Sequence, residues 1–211
     1  MRLRFNGWVA TVAVAAMVLA LGGTAKAGDR TETLHPQNES RQYSLHLHQL
    51  HTDENIDVVY RVGDTYIPAA LDKLNYFLRD YRTGAVKAYD PKEFDLLHSL
   101  MSKLGRPHGV IDIVCGYRTP WTNHFLRTRS AHTGVAEHSQ HMQAKAIDIR
   151  VPGVSTVKLR NTALSLHEGG VGYYPVSQFV HVDVGPVRQW SFGRVPSRHR
   201  RSRAQIRAVG E

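Results

Sequence analysis

Two short segments alternate β-branched residues with ionisable ones, and this pattern constrains the fold more than any other feature of the chain. "AIDIRV" spans residues 146–151, and "FVHVDV" spans residues 179–184. Successive side chains of a strand point to opposite faces of the sheet. The β-branched side chains therefore share one face, while Asp148, His181 and Asp183 lie on the other. We expect two strands of one sheet, with a core face and an ionisable face on which Asp148 and His181 can meet.

The rest of the pattern predicts an α+β fold. "YSLHLHQLHTDENIDVVYRVGDTYI" alternates around a polar turn and predicts a β-hairpin. Helical periodicity marks "IPAALDKLNYFLRDYRTG", "YDPKEFDLLHSLMSKLG" and "STVKLRNTALSLHEGG", with a shorter helix in "RTPWTNHFLRTRS". "GVIDIVCGY" predicts a strand, and "VGYY" an antiparallel neighbour of "FVHVDV". This order favours a small antiparallel sheet flanked by helices over a doubly wound parallel sheet.

The N-terminal segment predicts export. Residues 1–27 contain two early arginines, an apolar run from Trp8 to Leu21 and the tripeptide Ala25-Lys26-Ala27, which is the pattern of a cleaved signal peptide. The run is shorter than the roughly 18–20 residues that span a bilayer, and an uncleaved anchor is the alternative. We expect a signal peptide at 1–27, a linker at 28–42, a catalytic domain at 43–190, and a periplasmic location.

Charge and cysteine content narrow the class of protein. The formal net charge is +9, but six arginines follow Trp190 and only one acidic residue does, so the excess lies in a basic tail over residues 191–211. A disordered solubilising tail, or one that adheres to an anionic polymer, fits this pattern. Nucleic acid is not an expected partner of an exported chain. The single cysteine, Cys115, lies in an apolar run and indicates a buried structural thiol.

The ionisable face suggests a metal site. His141 lies in the loop before the strand that carries Asp148, and His181 is on the neighbouring strand. Two histidines and one carboxylate, with a fourth position open, form the ligand set of a catalytic zinc site, and zinc activates water for amide hydrolysis. In a chain with 13 histidines the spacing alone does not decide the question, and His132 and His138 are alternative ligands.

Three segments resemble one peptidase family. "SQHMQAKAIDI" resembles the S-x-H-x-x-G-x-A-x-D signature of the zinc D-Ala-D-Ala dipeptidase and carboxypeptidase family, and "GYRTPWTN" is similar to its G-Y-R-[ST]-x-x-x-N segment. "GGVGYYPVSQFVHVDVGPVRQW" resembles the C-terminal segment of the periplasmic murein endopeptidase branch. The resemblance implies a hedgehog/DD-peptidase-like fold and one zinc ion per chain. It also implies His141, Asp148 and His181 as ligands, and Arg118 as the cation that stabilises the developing oxyanion.

The chain departs from the family pattern at two positions. Ala144 replaces the signature glycine, which matters if the position needs a positive φ. Gln178 stands where the dipeptidase branch has a glutamate general base, and an amide cannot accept a proton there. Asp183 is the remaining carboxylate on the ionisable face, and it is either the base or a group that orients a ligand.

The functional hypothesis is an exported zinc metallopeptidase that hydrolyses peptide cross-links in peptidoglycan. Its partners would be peptide stems, whose free carboxylates Arg150 could recognise, and it would contact a membrane only through an uncleaved anchor. The alternatives are a D-Ala-D-Ala dipeptidase or carboxypeptidase, and a non-catalytic zinc-containing module that binds the cell wall. The sequence leaves open whether the cross-link joins D-alanine to diaminopimelate or two diaminopimelates.

Overall fold

The structure, a computed structural model, describes residues 41–129 and 133–193. Within this part, no helix is long and apolar enough to cross a membrane. The strands are β1 (Gln42–Gln49), β2 (Asn55–Val62), β3 (Thr65–Tyr66), β4 (Val110–Cys115), β5 (Ala146–Arg150), β6 (Gly170–Tyr174), β7 (Phe179–Asp183) and β8 (Arg188–Ser191). The helices are α1 (Pro68–Phe77), α2 (Lys92–Lys103), α3 (Pro120–Thr128) and α4 (Thr156–Leu164), with one 3₁₀ turn at Gln140–Gln143.

The eight described strands form one mixed sheet in the order β3-β2-β1-β4-β5-β7-β6-β8. β1 runs parallel to β4, and β6 runs parallel to β8, while the other neighbouring pairs are antiparallel. The α+β class is therefore confirmed, but the expectation of a small antiparallel sheet needs correction. Between β1 and β4 the chain passes through β2, β3 and two helices, a path long enough to return a strand in the parallel direction. The hedgehog-like topology stays a prediction.

The predicted local elements are present, although two helices are shorter than expected. The β1–β2 hairpin and the antiparallel β6–β7 pair are confirmed. At the starts of α3 and α4, the side-chain oxygens of Thr119 and Ser155 accept hydrogen bonds from backbone amides of the first helical turn. The carboxylate of Asp90 accepts one from the Lys92 amide at the start of α2. α1 ends at Phe77 and α4 at Leu164, in both cases several residues before the end of the predicted helical segment.

One face of the sheet forms the hydrophobic core. α1 packs against β2, α2 against β1, and α4 against β6 and β7. The apolar side chains that alternate along the central strands are fully buried beneath these helices, as the period-two pattern predicts. The buried strand residues are Leu45, Leu47, Ile111, Ile113, Ile147, Ile149, Val180 and Val182. The face across the sheet is thereby left for polar groups.

Several sequence predictions concern segments outside the described residues. The predicted signal peptide, nearly all of the predicted linker and most of the basic tail fall there, and so does His132. β8 runs to Ser191, so the boundary that the sequence placed after residue 190 falls within a strand.

Candidate functional site

A single cross-strand row on the polar face brings the predicted ligands together. Asp148 of β5 lies directly opposite His181 of β7, and Cys115 of β4 lies opposite Asp148 on its other side. Beyond His181 the row continues with Gly172 of β6 and then Trp190 of β8. The parity argument placed Asp148 and His181 on one face, and the register makes them immediate neighbours. All three ionisable side chains predicted on this face belong to adjacent strands.

His141 enters the row from the loop before β5. Ser139 caps the 3₁₀ turn by accepting a hydrogen bond from the His141 amide, and the Arg118 amide donates to the His141 carbonyl at 3.3 Å. Ala144 ends the turn with φ 51° and ψ 47°. This position therefore does require a left-handed backbone, which costs an alanine roughly 1–2 kcal/mol relative to the right-handed form.

Three side-chain atoms converge at the centre of the row. His141 Nε2 lies 3.2 Å from Asp148 Oδ1 and 3.1 Å from His181 Nδ1. His181 Nδ1 lies 2.9 Å from the same carboxylate oxygen. Three ligands bound to one zinc at about 2.0–2.1 Å in tetrahedral geometry would be about 3.3–3.4 Å apart. The observed triangle is thus close to the size that a tetrahedral zinc ion needs.

The hydrogen bonds on the outer side of each imidazole determine which of its nitrogens carries the proton. His141 Nδ1 lies 2.8 Å from the Gly116 carbonyl oxygen, which can only accept a hydrogen bond. His181 Nε2 lies 3.0 Å from Asp183 Oδ2, which also accepts. Each imidazole uses its N–H there, so a lone pair points into the triangle beside the carboxylate oxygen of Asp148. Three lone pairs that face one another call for a cation between them, and the donor set fits zinc.

The electrostatics of the triangle favour an ionised carboxylate and a neutral His141. Burial, helped by the nearby charge of Arg118, lowers the pKa of His141 to about 4. Burial alone would raise the pKa of Asp148, but the two histidines outweigh it and hold that pKa well below its usual range. Burial likewise opposes protonation of His181, yet hydrogen bonds with Asp148 and Asp183 raise its pKa. The ionised carboxylate of Asp148 is the negative charge at the triangle that a metal cation can neutralise.

Cys115 is a further group near the triangle. Its sulfur lies within 4.8 Å of ligand atoms of His141 and Asp148. Although the residue is not fully buried by surface area, burial of the thiol itself raises its pKa to about 12. A thiol rather than a thiolate is present at neutral pH, and only the thiolate is a good metal ligand. His181, whose Nδ1 lies 3.1 Å from His141 Nε2 and 2.9 Å from Asp148 Oδ1, is the better third ligand.

Asp183 is held behind His181 rather than in the open triangle. The residue is fully buried, and His181 Nε2 donates to its Oδ2. Arg188 donates to both carboxylate oxygens, at 3.0 and 2.8 Å, and the amides of Gly170 and Gly185 donate to Oδ1. Burial would raise the pKa of Asp183, but the hydrogen bonds from His181 and Arg188 hold it at about 2. Such a carboxylate orients an imidazole well and is a poor proton acceptor.

A glycine in β6 opens the path by which Arg188 reaches Asp183. Gly170 lies between them in the sheet, opposite Asp183 on one side and Arg188 on the other. A Cβ atom at Gly170 would stand 2.4 Å from Asp183 Oδ2 and 2.5 Å from Arg188 Nη1. Only glycine leaves room for the ion pair to form across the intervening strand.

A second glycine of β6 does the same for Trp190. Gly172 lies between Trp190 and His181, and a Cβ atom there would stand 2.6 Å from the indole ring. The indole and imidazole ring centroids are 5.1 Å apart. The edge strand β8 therefore supports His181 twice, directly through Trp190 and through Asp183 by way of Arg188.

A cleft of about 180 Å³ opens above the triangle. Arg118 forms part of its wall, and its Nη2 donates to Ser139 Oγ at 3.3 Å. Among the described residues, Arg118 Nε has no hydrogen-bond partner although it is buried. The guanidinium thus has donor capacity left at the site. The wall also includes His138, Tyr174, Phe179, Arg188, Trp190 and Phe192.

Comparison with known proteins assigns the chain to a family. A family model described as "Peptidoglycan L,D-endopeptidase MepK", of the M15 peptidases, matches residues 37–190. The chain belongs to this family. The Escherichia coli K12 protein named "Peptidoglycan L,D-endopeptidase MepK" is 42% identical over 175 residues, which cover 82% of this chain and 94% of that protein. A Haemophilus influenzae protein named "Probable peptidoglycan L,D-endopeptidase MepK" is 42% identical over 146 residues, covering 69% of this chain and 77% of that protein. No solved structure gives a significant match.

Membership of the MepK family confirms the resemblance to the murein endopeptidase branch and leaves the two departures to be explained. Gln178 has φ 56°, and its amide donates to the Pro175 carbonyl within the β6–β7 turn. It does not line the cleft. The position that carries a glutamate base in the dipeptidase branch is therefore used here to form a turn.

Two other residues that the sequence singled out, Arg150 and His138, differ in whether they line the cleft. Arg150 is exposed, donates to the Ser177 carbonyl at 2.9 Å, and is not part of the cleft wall, so the structure does not bring it to the triangle. Its role in substrate binding stays a prediction. His138 does line the cleft, and its role as an alternative ligand stays a prediction.

Sequence reasoning missed the support that β8 gives to this MepK-family site. Arg188 and Trp190 were read only as part of a similar segment, and Tyr174 was not singled out. A signal was present, because Gly170 and Gly172 alternate in "GGVGYY" and so leave one face of that strand bare. A bare strand face next to a charged one indicates that side chains from a further strand cross over it.

Proposed function

We propose that this chain is an exported zinc metallopeptidase that hydrolyses a peptide cross-link of peptidoglycan. The observation that carries the proposal is the triangle of His141 Nε2, Asp148 Oδ1 and His181 Nδ1, 2.9–3.2 Å apart, at the base of a cleft in a chain of the MepK family. The N-terminal pattern of residues 1–27 supports export. A zinc ion in such a site supplies Lewis acidity, which activates water at neutral pH and polarises a carbonyl.

The names of the relatives support one of the two cross-links that the sequence left open. An L,D bond joins the carboxyl group of an L-centre to an amine on a D-centre. The bond between two diaminopimelates has an L-centre on its carbonyl side, whereas the bond from D-alanine has a D-centre there. We therefore assign the diaminopimelate–diaminopimelate link as the preferred substrate, recognised within the peptide stems.

The residues of the chain would divide the work as follows. His141, Asp148 and His181 hold the metal, and Asp183 fixes the His181 tautomer through its bond to Nε2. Arg118 has a buried guanidinium with unused donor capacity and would stabilise negative charge on the scissile carbonyl oxygen.

Proton transfer is best assigned to His138. Asp183 is saturated with hydrogen bonds, and Gln178 belongs to a turn outside the cleft. Among the described residues of the cleft wall, His138 is the one imidazole besides the ligands His141 and His181, and a positioned imidazole can accept a proton from water and pass it to a leaving amine. Its loop is anchored, because Asn123 donates to the carbonyls of residues 136 and 137.

The test combines metal content with product analysis. Purified wild-type protein should bind one zinc ion per chain and split diaminopimelate-cross-linked muropeptides into uncrosslinked products that mass spectrometry identifies. His181→Ala should lose both properties. His98→Ala is a matched control, because His98 contacts the Ser44 carbonyl away from the cleft.

Four results would contradict the proposal. Retained cleavage in His181→Ala would refute the metal assignment. Release of terminal D-alanine from the peptide stem would indicate the carboxypeptidase alternative, and hydrolysis of free D-Ala-D-Ala to D-alanine would indicate the dipeptidase alternative. Full zinc loading with no cleavage of any muropeptide would indicate a wall-binding module instead. Cell fractionation that finds the mature chain in the cytoplasm would refute export.

A further inference from the structure

Tyr174 ends β6 on the same face as the metal triangle. Gly170, Gly172 and Tyr174 alternate along that face, and Tyr174 lies opposite Phe179 of β7. The two aromatic rings stack with centroids 4.4 Å apart and planes inclined by 15°. Tyr174 also lines the cleft above the triangle. The phenol is therefore fixed in position on the wall of the proposed catalytic cleft.

The hydrogen bonding of this phenol is half complete. Trp190 Nε1 lies 3.0 Å from the Tyr174 hydroxyl, and an indole N–H can only donate. The hydroxyl oxygen is thus the acceptor, and its own hydrogen remains to be donated. Within residues 41–129 and 133–193, no acceptor takes that hydrogen. Accepting one hydrogen bond polarises a hydroxyl and strengthens the bond that it donates.

The electrostatic environment keeps the phenol in its donor form beside the reacting groups. Burial raises the pKa of Tyr174, so the group stays protonated throughout the range in which a peptidase works. The charges of Asp148 and Arg118 both act on the phenol, which places it within electrostatic range of the triangle and of the predicted oxyanion-stabilising arginine. A neutral O–H donor in such a position can meet an oxygen that gains negative charge.

We propose that Tyr174 is a catalytic residue that donates a hydrogen bond to the scissile carbonyl oxygen as that carbon becomes tetrahedral, and that Trp190 is the positioning residue that holds the phenol. The inference rests on the proposed peptidase function and adds a second donor to Arg118. Because the bond strengthens only as charge develops on the oxygen, its loss should reduce kcat and leave KM nearly unchanged.

The first experiment compares Tyr174→Phe with Tyr173→Phe. Tyr173 is the matched control, because it is the next residue of β6, faces the core side and has Arg160 over its ring at 4.6 Å. On diaminopimelate-cross-linked muropeptides, Tyr174→Phe should lower kcat about 10- to 100-fold, with KM within about twofold. Zinc content and thermal midpoint should match the wild type. Tyr173→Phe should retain wild-type kcat.

A double-mutant cycle tests the part of Trp190. Trp190→Phe removes the indole N–H but keeps a ring against His181, and alone it should lower kcat about three- to tenfold. In the Tyr174→Phe background the same change should have no further effect, because the group that it positions is already gone. An equal effect in both backgrounds would overturn the positioning role.

The last measurement needs no turnover. A phosphinate analogue, with a tetrahedral phosphinic group in place of the scissile amide, is titrated calorimetrically into wild type and Tyr174→Phe. The variant should bind the analogue about 10- to 100-fold more weakly and should bind the reaction product equally well. Equal affinities for the analogue, a change in KM alone, or loss of zinc with kcat would each overturn the inference. If the wild type cleaves nothing, the proposed function fails, and the titration still decides the role of Tyr174.

Discussion

The role of Asp183 can be decided by replacing it with asparagine. The carboxylate accepts five hydrogen bonds: two from Arg188, two from the amides of Gly170 and Gly185, and one from His181 Nε2. Every partner is a donor, so either orientation of an amide places its NH₂ group against N–H groups. To relieve the clash at Oδ2, His181 must move its proton to Nδ1. That proton would then occupy the lone pair that faces Asp148 and His141.

The expected magnitudes follow from this geometry. Loss of a partner that orients a metal-binding histidine weakens metal affinity about 10- to 100-fold, which corresponds to about 1.4–2.7 kcal/mol. The unpaired donors should lower the free energy of unfolding by about 1–3 kcal/mol. Arg188 is partly exposed, so water can replace part of its lost pairing and the stability loss should fall towards the lower end.

The assay is a zinc competition titration against a chelator, followed by kcat at saturating zinc and by thermal unfolding. Asp183→Asn should show weaker zinc binding and recover a large part of its activity when zinc is added. Asp95→Asn is the matched control, because Asp95 accepts hydrogen bonds from Tyr60 and Tyr66 outside the cleft, and its zinc affinity should be unchanged. Unaltered zinc affinity in Asp183→Asn, with kcat reduced at least about 100-fold, would instead identify Asp183 as the general base.

Three further predictions test other parts of the site. Gly172→Ala places a Cβ atom 2.6 Å from the Trp190 ring, so it should lower the free energy of unfolding by about 1–3 kcal/mol and reduce kcat; an unchanged thermal midpoint would contradict the packing argument. His138→Ala should lower kcat about 10²- to 10⁴-fold with zinc still bound, and added imidazole should restore part of the rate; unchanged kcat would exclude His138 from proton transfer. Burial raises the pKa of the Cys115 thiol to about 12, so at pH 8 the thiol of the folded protein remains protonated. It should react with a disulfide reagent at that pH only after unfolding, and rapid reaction of the folded protein would contradict this prediction.

The period-two pattern was sufficient to predict the core of the site. Side-chain parity along a strand is a local property, so "AIDIRV" and "FVHVDV" alone place Asp148 and His181 on the polar face. The structure adds the register, in which the two residues are directly opposite. The β1–β2 hairpin was predictable for the same reason, because a polar turn between two alternating runs specifies it locally.

Pairings between distant segments were not predictable from local pattern. The parallel neighbours β1–β4 and β6–β8 depend on how the chain returns across the sheet, and the antiparallel expectation failed there. β8 has only four residues and mixed polarity, so it gives no periodic signal of its own. The uncertainty about Asp183 had the same origin, since its hydrogen bonds to Arg188 arise only once β8 lies beside β6.

The position of β8 makes an edge strand part of the site. β6 carries glycine at both positions that lie between β8 and β7. The side chains of Arg188 and Trp190 can therefore cross over β6 and reach the residues of β7. Because the side-chain period of a strand is two, a one-residue slip of β8 would turn Val187 and Gln189 towards the site and remove both contacts. Asp183 would then be buried without its arginine, and His181 would lose its aromatic support. A short edge strand whose side chains are mostly exposed is therefore held in register by the buried groups that it contacts, Asp183 and His181. The match to the MepK family extends as far as Trp190.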